Sequence, residues 1–283
     1  MAEAPSAFRD VDPEEAGRLL EAGQVRPLDV RTVEEHRELG HIPGSILLPI
    51  DLIAAAPGVL ECDGLPWLVY CEHGVRSQLA AAFLARAGYR GVLNLGPGMA
   101  GWAGPREFGP ERPHLAGPSS WLLASADLLP RGGRVLDVAC GRGRHALLLA
   151  GAGFQVRAVD ADAAAVGRLR DVAASVGLDL DAAILDLEAS EVDLGESLYE
   201  VVLVVHYLHR PLFPALRRAL APGGLLLYET FTAEQARHGG RPRDPRFLLE
   251  PGELPRLAAP LQVLRSREGE FEGRWVASVT ARK

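Results

Sequence analysis

The sequence predicts an α/β protein of two domains, each built on a mostly parallel sheet. The chain has 283 residues, which is long for one domain and ordinary for two. In both halves, short apolar runs of strand length alternate with helical segments, as in parallel sheets flanked by helices. Residues 103–120 read AGPREFGPERPHLAGPSS, and this proline- and glycine-rich stretch separates the halves. We therefore expect domains at 1–104 and 119–283, joined by a linker at 105–118.

The apolar runs predict the order of the elements in each half. In the N-terminal half the helices lie near 13–22, 33–39 and 75–87, and the strands are VRPLDV, SILLPI, WLVYC and GVLNL. The C-terminal strands are RVLDVAC, QVRAVD, DAAILDL, VVLVVHYL, GLLLYETF, LQVLRSREG and RWVASVTARK. The last two flank a charged turn, EGEFEG, so we expect an antiparallel hairpin that closes a seven-stranded sheet.

Composition and charge exclude several classes of protein. The net charge of −7 disfavours a chain-wide nucleic-acid surface. No apolar run approaches the roughly 18 residues of a membrane helix, and the N-terminus lacks the basic and apolar regions of a secretory signal. Cys62, Cys71 and Cys140 have spacings that fit neither a disulfide framework nor a zinc site. We expect a reducing, cytoplasmic setting and no metal.

Cys71 has the sequence context of a reactive thiol. It stands in YCEHGVRS, after a buried-strand pattern and before an alanine-rich helix. The free N–H groups and dipole of a helix N-terminus stabilise an anion, which lowers a cysteine pKa and suits a persulfide or a bound oxyanion. Gly74 permits a tight loop, and Arg76 closes it. The alternative is a half-buried structural thiol in a turn.

This segment resembles the rhodanese family, whose persulfide-forming cysteine begins a C-x-x-G-x-R-S loop. The likeness spans most of residues 7–103 and includes LDVRTVEEHRELGHIPGSILLPI and LGPGMAGW. The resemblance implies that Cys71 is the nucleophile, that the amides of 72–76 hold the persulfide, and that Asp29 and Arg31 brace the fold. Related phosphatases use a loop one residue longer, so the C-x4-R spacing favours sulfur transfer over phosphate hydrolysis.

The catalytic residues expected in this half are Cys71, Arg76 and His73. The resemblance places Glu72 and His73 where the acceptance of sulfur donors is tuned. His73 is equally compatible with a solvated loop position. Cys62 lies on a polar loop, and we expect no role for it.

The C-terminal half carries a cofactor loop. RVLDVACGRGRHALLLAGAGFQVRAVD reads as strand, glycine-rich turn, helix and a second strand that ends in Asp160. Gly141 and Gly143 would let a ligand approach the backbone, and an acid ending the second strand would bind ribose hydroxyls. A dinucleotide-binding turn would have glycine where Ala146 stands. Asp137 suits a cationic amino-acid group better than a pyrophosphate. The alternative is an α/β domain without a nucleotide.

These motifs resemble the class I S-adenosylmethionine-dependent methyltransferases over about residues 119–283, with a Rossmann-like sheet. The resemblance implies S-adenosylmethionine as the cofactor, with Asp160 on the ribose and Asp186 on the adenine amine. His145 is expected to be structural or a contact of the cofactor loop, and Cys140 is not expected to react. The cofactor-binding residues expected are Asp137, Ala139, Gly141, Gly143, Asp160, Asp186, Leu187 and His206.

Within that superfamily, HYLHRPLFP from His206 and ETFT from Glu229 are similar to the tellurite-resistance methyltransferases. The carboxyl edge of the sheet is where sites of such folds form. RHGGRPRDPR at 237–246 is either a lid that captures an anionic acceptor or a solvated surface loop. Candidate acceptor contacts are Tyr207, His209, Tyr228, Arg237 and Arg241.

Together the two halves predict a bifunctional enzyme that acts on a small-molecule sulfur donor and a small methyl acceptor. Sulfur would pass through a Cys71 persulfide, and a thiol, sulfide or chalcogen oxyanion would be methylated. One alternative is thiolation and methylation of tRNA, which the acidic N-terminal half disfavours. Another is a methyltransferase regulated by a redox-sensing rhodanese module.

Overall fold

The computed structural model describes residues 8–62, 64–109 and 117–283. The chain divides into two compact units, one formed by Met1–Gly117 with Asp171–Gly177 and the other by Pro118–Arg170 with Leu178–Lys283. Each unit has its own sheet, and the predicted α/β fold class is confirmed. Within the described residues, none of the helices combines the length and the apolar character that crossing a membrane requires.

The first unit contains a five-stranded parallel sheet in the order β1-β5-β4-β2-β3. The central strand β4 is buried at all four positions, as its apolar sequence WLVY predicts. The strand β1 has the sequence RDV and pairs with β5, and the sequence did not predict it. The strands are β1 (Arg9–Val11), β2 (Arg26–Asp29), β3 (Ile46–Leu47), β4 (Trp67–Tyr70) and β5 (Leu93–Leu95).

Two helices of this unit begin at polar caps. The Asp12 side chain accepts from the third amide of α1, and Thr32 and Glu35 form a reciprocal capping box at α2. These caps fix where each helix starts relative to the preceding strand. The helices are α1 (Pro13–Glu21), α2 (Val33–Glu38), α3 (Ala56–Val59) and α4 (Val75–Arg86), with 3₁₀ turns at Ile50–Ala55 and Met99–Gly101.

The second unit contains a seven-stranded sheet in the order β11-β12-β10-β9-β6-β7-β8. In this described sheet β12 runs opposite to the other six strands, and the predicted hairpin of β11 and β12 is confirmed. Its turn has two residues, Glu272 and Gly273, both with left-handed φ of 54° and 70°. The strands are β6 (Arg134–Val138), β7 (Gln155–Asp160), β8 (Leu180–Ile184), β9 (Tyr199–Val205), β10 (Leu220–Phe231), β11 (Gln262–Phe271) and β12 (Arg274–Arg282).

Helices follow the parallel strands β6, β7, β9 and β10 of this sheet, as in other doubly wound folds. The core includes Val202, Val204, Leu216 and Leu226, all fully buried. The helices are α5 (Ser120–Ala124), α6 (Arg144–Gly151), α7 (Ala163–Val176), α8 (Phe213–Ala219), α9 (Ala233–Arg237) and α10 (Glu253–Ala258), with 3₁₀ turns at Ala126–Leu128, Arg210–Leu212 and Pro245–Phe247.

The first part of the expected linker lies against the first unit. Arg106 donates hydrogen bonds to the carbonyl oxygens of Leu39, Met99 and Trp102. Phe108 lies so close to Gly40 that a Cβ on this glycine would be 2.9 Å from its ring. Residues 105–109 are therefore ordered by these contacts, whereas residues 110–116 of the expected linker lie outside the described residues.

Candidate active sites

The Cys71 loop leaves the carboxyl end of β4 and enters α4. Gly74 caps the helix with a left-handed φ of 82°, and a Cβ there would lie 1.8 Å from the carbonyl oxygen of Gly96. The amides of Met99 and Ala100 donate to the carbonyl oxygens of Cys71 and Glu72. The loop is thus held in a single shape by backbone contacts that only glycine at position 74 permits.

This geometry gives a stability prediction with a matched control. We expect Gly74→Ala to lower the free energy of unfolding by about 3 kcal/mol or more, because left-handed strain of roughly 1–2 kcal/mol adds to the clash. Gly23 has a φ of 62°, and no described atom lies within 4 Å of the place where a Cβ would stand, so Gly23→Ala should show the strain alone. Urea unfolding of both variants measures the difference, and equal losses would contradict the close packing of the loop.

The Cys71 thiol lies at the floor of the loop. Its residue is only 1% exposed, and Sγ accepts hydrogen bonds from the amide and the hydroxyl of Ser77, each at 3.4 Å. Within the described residues, the backbone N–H groups of 72–76 have no hydrogen-bond acceptor. Unsatisfied backbone donors in the loop that follows Cys71 form a ready site for negative charge.

Arg76 does not face the thiol as a free cation. Its guanidinium binds Glu35 with two contacts, Nη1–Oε2 at 2.7 Å and Nη2–Oε1 at 2.5 Å. The hydrogen bond from Arg76 lowers the pKa of Glu35, and the same bond raises the pKa of Arg76. Arg76 also interacts with Cys71, so it links the loop to α2. Glu35 was not singled out from the sequence, because it stands 41 residues from Arg76.

Asp29 and Arg31 form a buried network beneath the loop. Arg31 is fully buried and binds Asp29 at 2.8 Å and Glu72 at 2.9 Å. Burial opposes ionisation of Asp29, yet hydrogen bonds from His36 and Arg31 hold its pKa below the usual range. The network therefore ties strand β2 to the residue that follows Cys71. His73 is exposed in the loop, and Cys62 is exposed elsewhere with Sγ 3.5 Å from the Gly88 carbonyl oxygen.

The glycine-rich loop of the second unit follows β6 in a strained conformation. Ala139 has a φ of 55°, and Gly141 and Gly143 have φ values of 53° and 76°. A Cβ on Gly143 would lie 2.4 Å from Leu169. Left-handed backbone at a non-glycine residue is characteristic of functional loops. Burial raises the pKa of the neighbouring Cys140 thiol, which keeps it protonated.

Two aspartates beside this loop, Asp137 in β6 and Asp160 at the end of β7, differ in their hydrogen bonds. Asp160 accepts from the amides of Gly141 at 2.7 Å and Asp162 at 2.9 Å. Asp137 is 1% exposed, and its Oδ2 has no hydrogen-bond partner among the described residues. Burial raises the pKa of Asp137 to about 7. A buried carboxylate with an unsatisfied oxygen calls for a cationic donor.

His206 lies at the carboxyl end of β9 with a left-handed φ of 61°. Its ring stacks on Phe231, and Nδ1 is 3.4 Å from Nη2 of Arg144. Burial, with the charges of Arg144 and Arg274, lowers the pKa of His206 to about 4. The ring is therefore neutral at pH 7, with Nδ1 as the acceptor.

Arg144 and Arg274 are basic residues that the sequence reasoning missed. Burial and the positive charge of Arg274 both lower the pKa of Arg144. In the described part of the chain neither forms an ion pair with a carboxylate. The carboxylate of Glu229 is instead bound by Ser119, Ser278 and Arg267. Two neighbouring cations, neither with an ion-pair partner in the described part of the chain, form a candidate anion site.

The remaining expected residues occupy different surroundings. Asp186 accepts from the amide of Glu188, and Leu187 and His209 line a cavity of about 560 Å³. Burial raises the pKa of Tyr207 to about 12, and its hydroxyl is buried without a partner among the described residues. Tyr228 is 1% exposed, packs on Phe213 and donates to the Tyr207 carbonyl oxygen, so it offers no open face to an acceptor.

The arginine-rich segment 237–246 lies at the surface. Arg237 pairs with Glu234, and Arg246 pairs with Asp244. Arg241 is exposed, while its carbonyl oxygen accepts from Gln235. His145, by contrast, is buried and accepts from the Ser119 amide at 3.0 Å, which gives it a structural contact.

Comparison with known proteins separates the chain into the same two halves. Residues 12–105 match the family model of the rhodanese-like domain, and residues 135–224 match that of a methyltransferase domain. A sulfurtransferase of Allochromatium vinosum is 37% identical over 86 residues, which are 30% of this chain and 78% of that protein. The thiosulfate sulfurtransferase GlpE of Shewanella oneidensis is 31% identical over 97 residues, 34% of this chain and 94% of that protein.

Other matches cover less of the known protein. YrkF of Bacillus subtilis is 35% identical over 80 residues, 28% of this chain and only 42% of that protein. The crystal structure of TehB from Haemophilus influenzae matches with a TM-score of 0.50 and 21% identity, covering 60% of this chain and 63% of that one. At this identity the TehB match concerns the fold of the second half alone.

Proposed function

The chain belongs to the rhodanese family through residues 12–105 and carries a methyltransferase domain after it, and on this premise we propose a bifunctional enzyme. Both domains indicate an enzyme. The N-terminal site would carry sulfur on Cys71, and the C-terminal site would transfer a methyl group from S-adenosylmethionine to a small soft nucleophile. The domain limits of 1–104 and 119–283 are part of this proposal. Cys62, Cys71 and Cys140 form no disulfide among the described residues, which favours a reducing compartment, so we place the enzyme in the cytoplasm.

Sulfur transfer is supported by the donors around the thiol. The Cys71 thiolate would attack the sulfane sulfur of a donor, whose bond to its leaving group breaks as the new S–S bond forms. The unsatisfied amides of 72–76 would then stabilise the terminal sulfur of the persulfide. A thiolate acceptor would take that sulfur and restore Cys71. The main support for sulfur transfer is that the loop amides of 72–76 have no acceptor among the described residues, next to a thiol that accepts hydrogen bonds from Ser77.

The residues of the second unit fit S-adenosylmethionine. The unsatisfied Oδ2 of Asp137 would accept from the ammonium group of the amino-acid end, and Gly141 would allow close approach of the ligand. Asp160 would bind the ribose hydroxyls, and Asp186 the adenine amine. Ala139, Gly143, Leu187 and His206 would complete the lining. When bound, the cofactor supplies a methyl group on a sulfonium, so the protein contributes mainly orientation and exclusion of water. The main support for S-adenosylmethionine binding is the Oδ2 atom of Asp137, which is buried without a hydrogen-bond partner among the described residues.

An anionic acceptor is favoured by Arg144 and Arg274. Neither guanidinium has an ion-pair partner among the described residues, so the two would hold a thiolate, a sulfide or a chalcogen oxyanion close to the neutral ring of His206. Because His206 is neutral, its ring would contribute a dipole to the acceptor site but no further charge. Arg237 and Arg241 on the surface segment remain proposed contacts of the methyl acceptor. His73 in the first unit remains a proposed catalytic residue of sulfur transfer.

This acceptor site makes a kinetic prediction. We expect Arg144→Gln and Arg274→Gln each to raise the KM for hydrosulfide about fivefold to tenfold, since each removes roughly 1 kcal/mol of attraction for the anion. Labelled methanethiol, formed from methyl-labelled S-adenosylmethionine, is the readout. Arg256→Gln, at an exposed position of α10, is the matched control and should leave KM unchanged. An unchanged KM in Arg144→Gln and Arg274→Gln would contradict the proposed anion site.

A further inference from the structure

The first unit contains a cavity of about 860 Å³ that neither proposed reaction uses. Helix α1, residues 42–44 and the segment 102–105 all contribute to its lining. Of its described lining residues, none belongs to the Cys71 loop at 71–77. Sites for small molecules are cavities of roughly 300–1,000 Å³ with a mostly apolar lining. The size of this cavity is therefore that of a ligand site.

The lining of the cavity is mainly apolar and one of its walls is held in place. Leu20, Val25 and Ile42 line it together with the indole of Trp102. The Trp102 ring is fixed because its N–H donates to the carbonyl oxygen of Pro105 at 3.1 Å. A preformed apolar surface favours a ligand with an apolar body, since removing that body from water contributes most of the affinity.

Gly17 leaves space in this cavity that a side chain could fill. It stands in the middle of α1, where glycine is less favourable than alanine. A Cβ at position 17 would lie 3.8 Å from Cη2 of Trp102, which is an ordinary contact distance. Close packing therefore does not require glycine here. A ligand that reaches the Trp102 ring does benefit from it, and departures from local preference of this kind are typical of functional sites.

The charged side chains of the lining give the cavity a negative character. They are three carboxylates and one guanidinium, from Asp12, Glu14, Glu21 and Arg18. Three negative charges and one positive charge leave an excess of two negative charges. Glu14 and Glu21 are exposed, so they lie at the rim, and neither forms an ion pair within the described residues. The rim therefore attracts a cation and repels an anion.

We propose that this cavity binds a small organic cation, an ammonium or sulfonium compound with an apolar body, as a further ligand of the chain. The apolar body lies against Leu20 and Trp102. The charged group stays at the rim beside Glu14 and Glu21, where it also keeps its contact with water. The proposal goes beyond the two transfer reactions and does not depend on either of them.

The test uses three probes that share a naphthalene body. At pH 7, 2-naphthylmethylamine is a cation, 2-naphthylmethanol is neutral and 2-naphthylacetate is an anion. Calorimetric titration of the full chain measures each Kd at low and at high salt. We expect the cation to bind at least about tenfold more tightly than the anion at low salt, with the alcohol between them and a smaller difference at high salt. Equal affinities, a preference for the anion, or no binding of any probe would overturn the proposal.

Two substitutions at the rim test the charge assignment. Glu14→Gln and Glu21→Gln should each reduce the preference for the cation over the alcohol about threefold and leave the affinity of the alcohol unchanged. Asp179→Asn, at an exposed aspartate of the second unit, is the matched control and should keep the wild-type preference. An undiminished preference in both glutamine variants would show that these carboxylates do not select the ligand, which would overturn the proposal.

A substitution inside the cavity tests the location of the probes. Gly17→Leu should weaken the binding of all three about tenfold, because the added side chain occupies the cavity. Gly167→Leu is the matched control, since this glycine also lies within a helix, α7, and no described atom is within 4 Å of the place of its Cβ. Thermal unfolding identifies any variant that fails to fold. Wild-type affinities in folded Gly17→Leu would place the probes elsewhere and overturn the proposal.

Discussion

Asp137→Asn should abolish measurable binding of S-adenosylmethionine and, at pH 8, stabilise the protein. The carboxylate is buried with one oxygen unpaired, and burial raises its pKa to about 7. Loss of an ion pair to the ligand ammonium should weaken binding by roughly 100-fold or more. Removing a buried charge with one unpaired oxygen should raise the free energy of unfolding by about 2 kcal/mol at pH 8. Calorimetric titration and urea unfolding measure the two effects.

The pH dependence follows from the same raised pKa. The folded protein holds the Asp137 proton more tightly than the unfolded chain, so wild-type stability falls as pH rises from about 4 to about 7. Asp137→Asn should lack this fall, and its stability advantage over wild type should shrink toward pH 4. Affinity for S-adenosylmethionine should rise with pH through about 7, because the ammonium group needs the ionised carboxylate. Asp179→Asn, at an exposed aspartate before β8, should behave as wild type. Tight binding by Asp137→Asn would contradict the assigned role.

Cys71→Ser should remove sulfur transfer by more than about a thousandfold, since a hydroxyl neither forms the persulfide nor ionises near neutral pH. Ser77→Ala should retain the persulfide but slow its formation about tenfold, because one of the two donors to Sγ is lost. Stopped-flow transfer of sulfur to cyanide measures both rates. Cys62→Ser and Cys140→Ser are the controls. If either variant lost activity as fully as Cys71→Ser, Cys71 would not be the only cysteine that sulfur transfer requires. Cys71→Ser should still bind S-adenosylmethionine.

The sequence predicted those parts of the fold that have a local pattern. Buried strands such as β4 are continuous apolar runs, and the glycine-rich turn after β6 has its residues in one stretch. The strand β1 escaped prediction because RDV is short and polar, and its pairing with β5 spans most of the unit. A three-residue strand is stabilised by its neighbour in the sheet, which a local window does not contain.

The candidate sites were predictable to a similar extent. Cys71 and Asp137 stand within recognisable motifs, so their positions could be read from neighbouring residues. Glu35 and Arg76 meet across 41 positions, and His206 meets Arg144 across 62. Such pairs follow from strand order, which a sequence encodes only indirectly. Tyr228 was expected to contact the acceptor because it stands near the end of β10, at the edge of the sheet where the site forms. The pleat of the strand instead turns its side chain into the core, against Phe213.

The central claim is that one chain carries two chemistries at two separate sites. The most direct test incubates wild type, Cys71→Ser and Asp137→Asn with cysteine persulfide, hydrosulfide and methyl-labelled S-adenosylmethionine. Intact mass reports sulfur on the protein, and trapped volatiles report labelled methanethiol. We expect wild type to show both signals, Cys71→Ser to lose only the added sulfur, and Asp137→Asn to lose only the methyl product. A wild type that takes up sulfur but does not methylate hydrosulfide would contradict the account. So would a wild type that methylates hydrosulfide while no sulfur is added to Cys71.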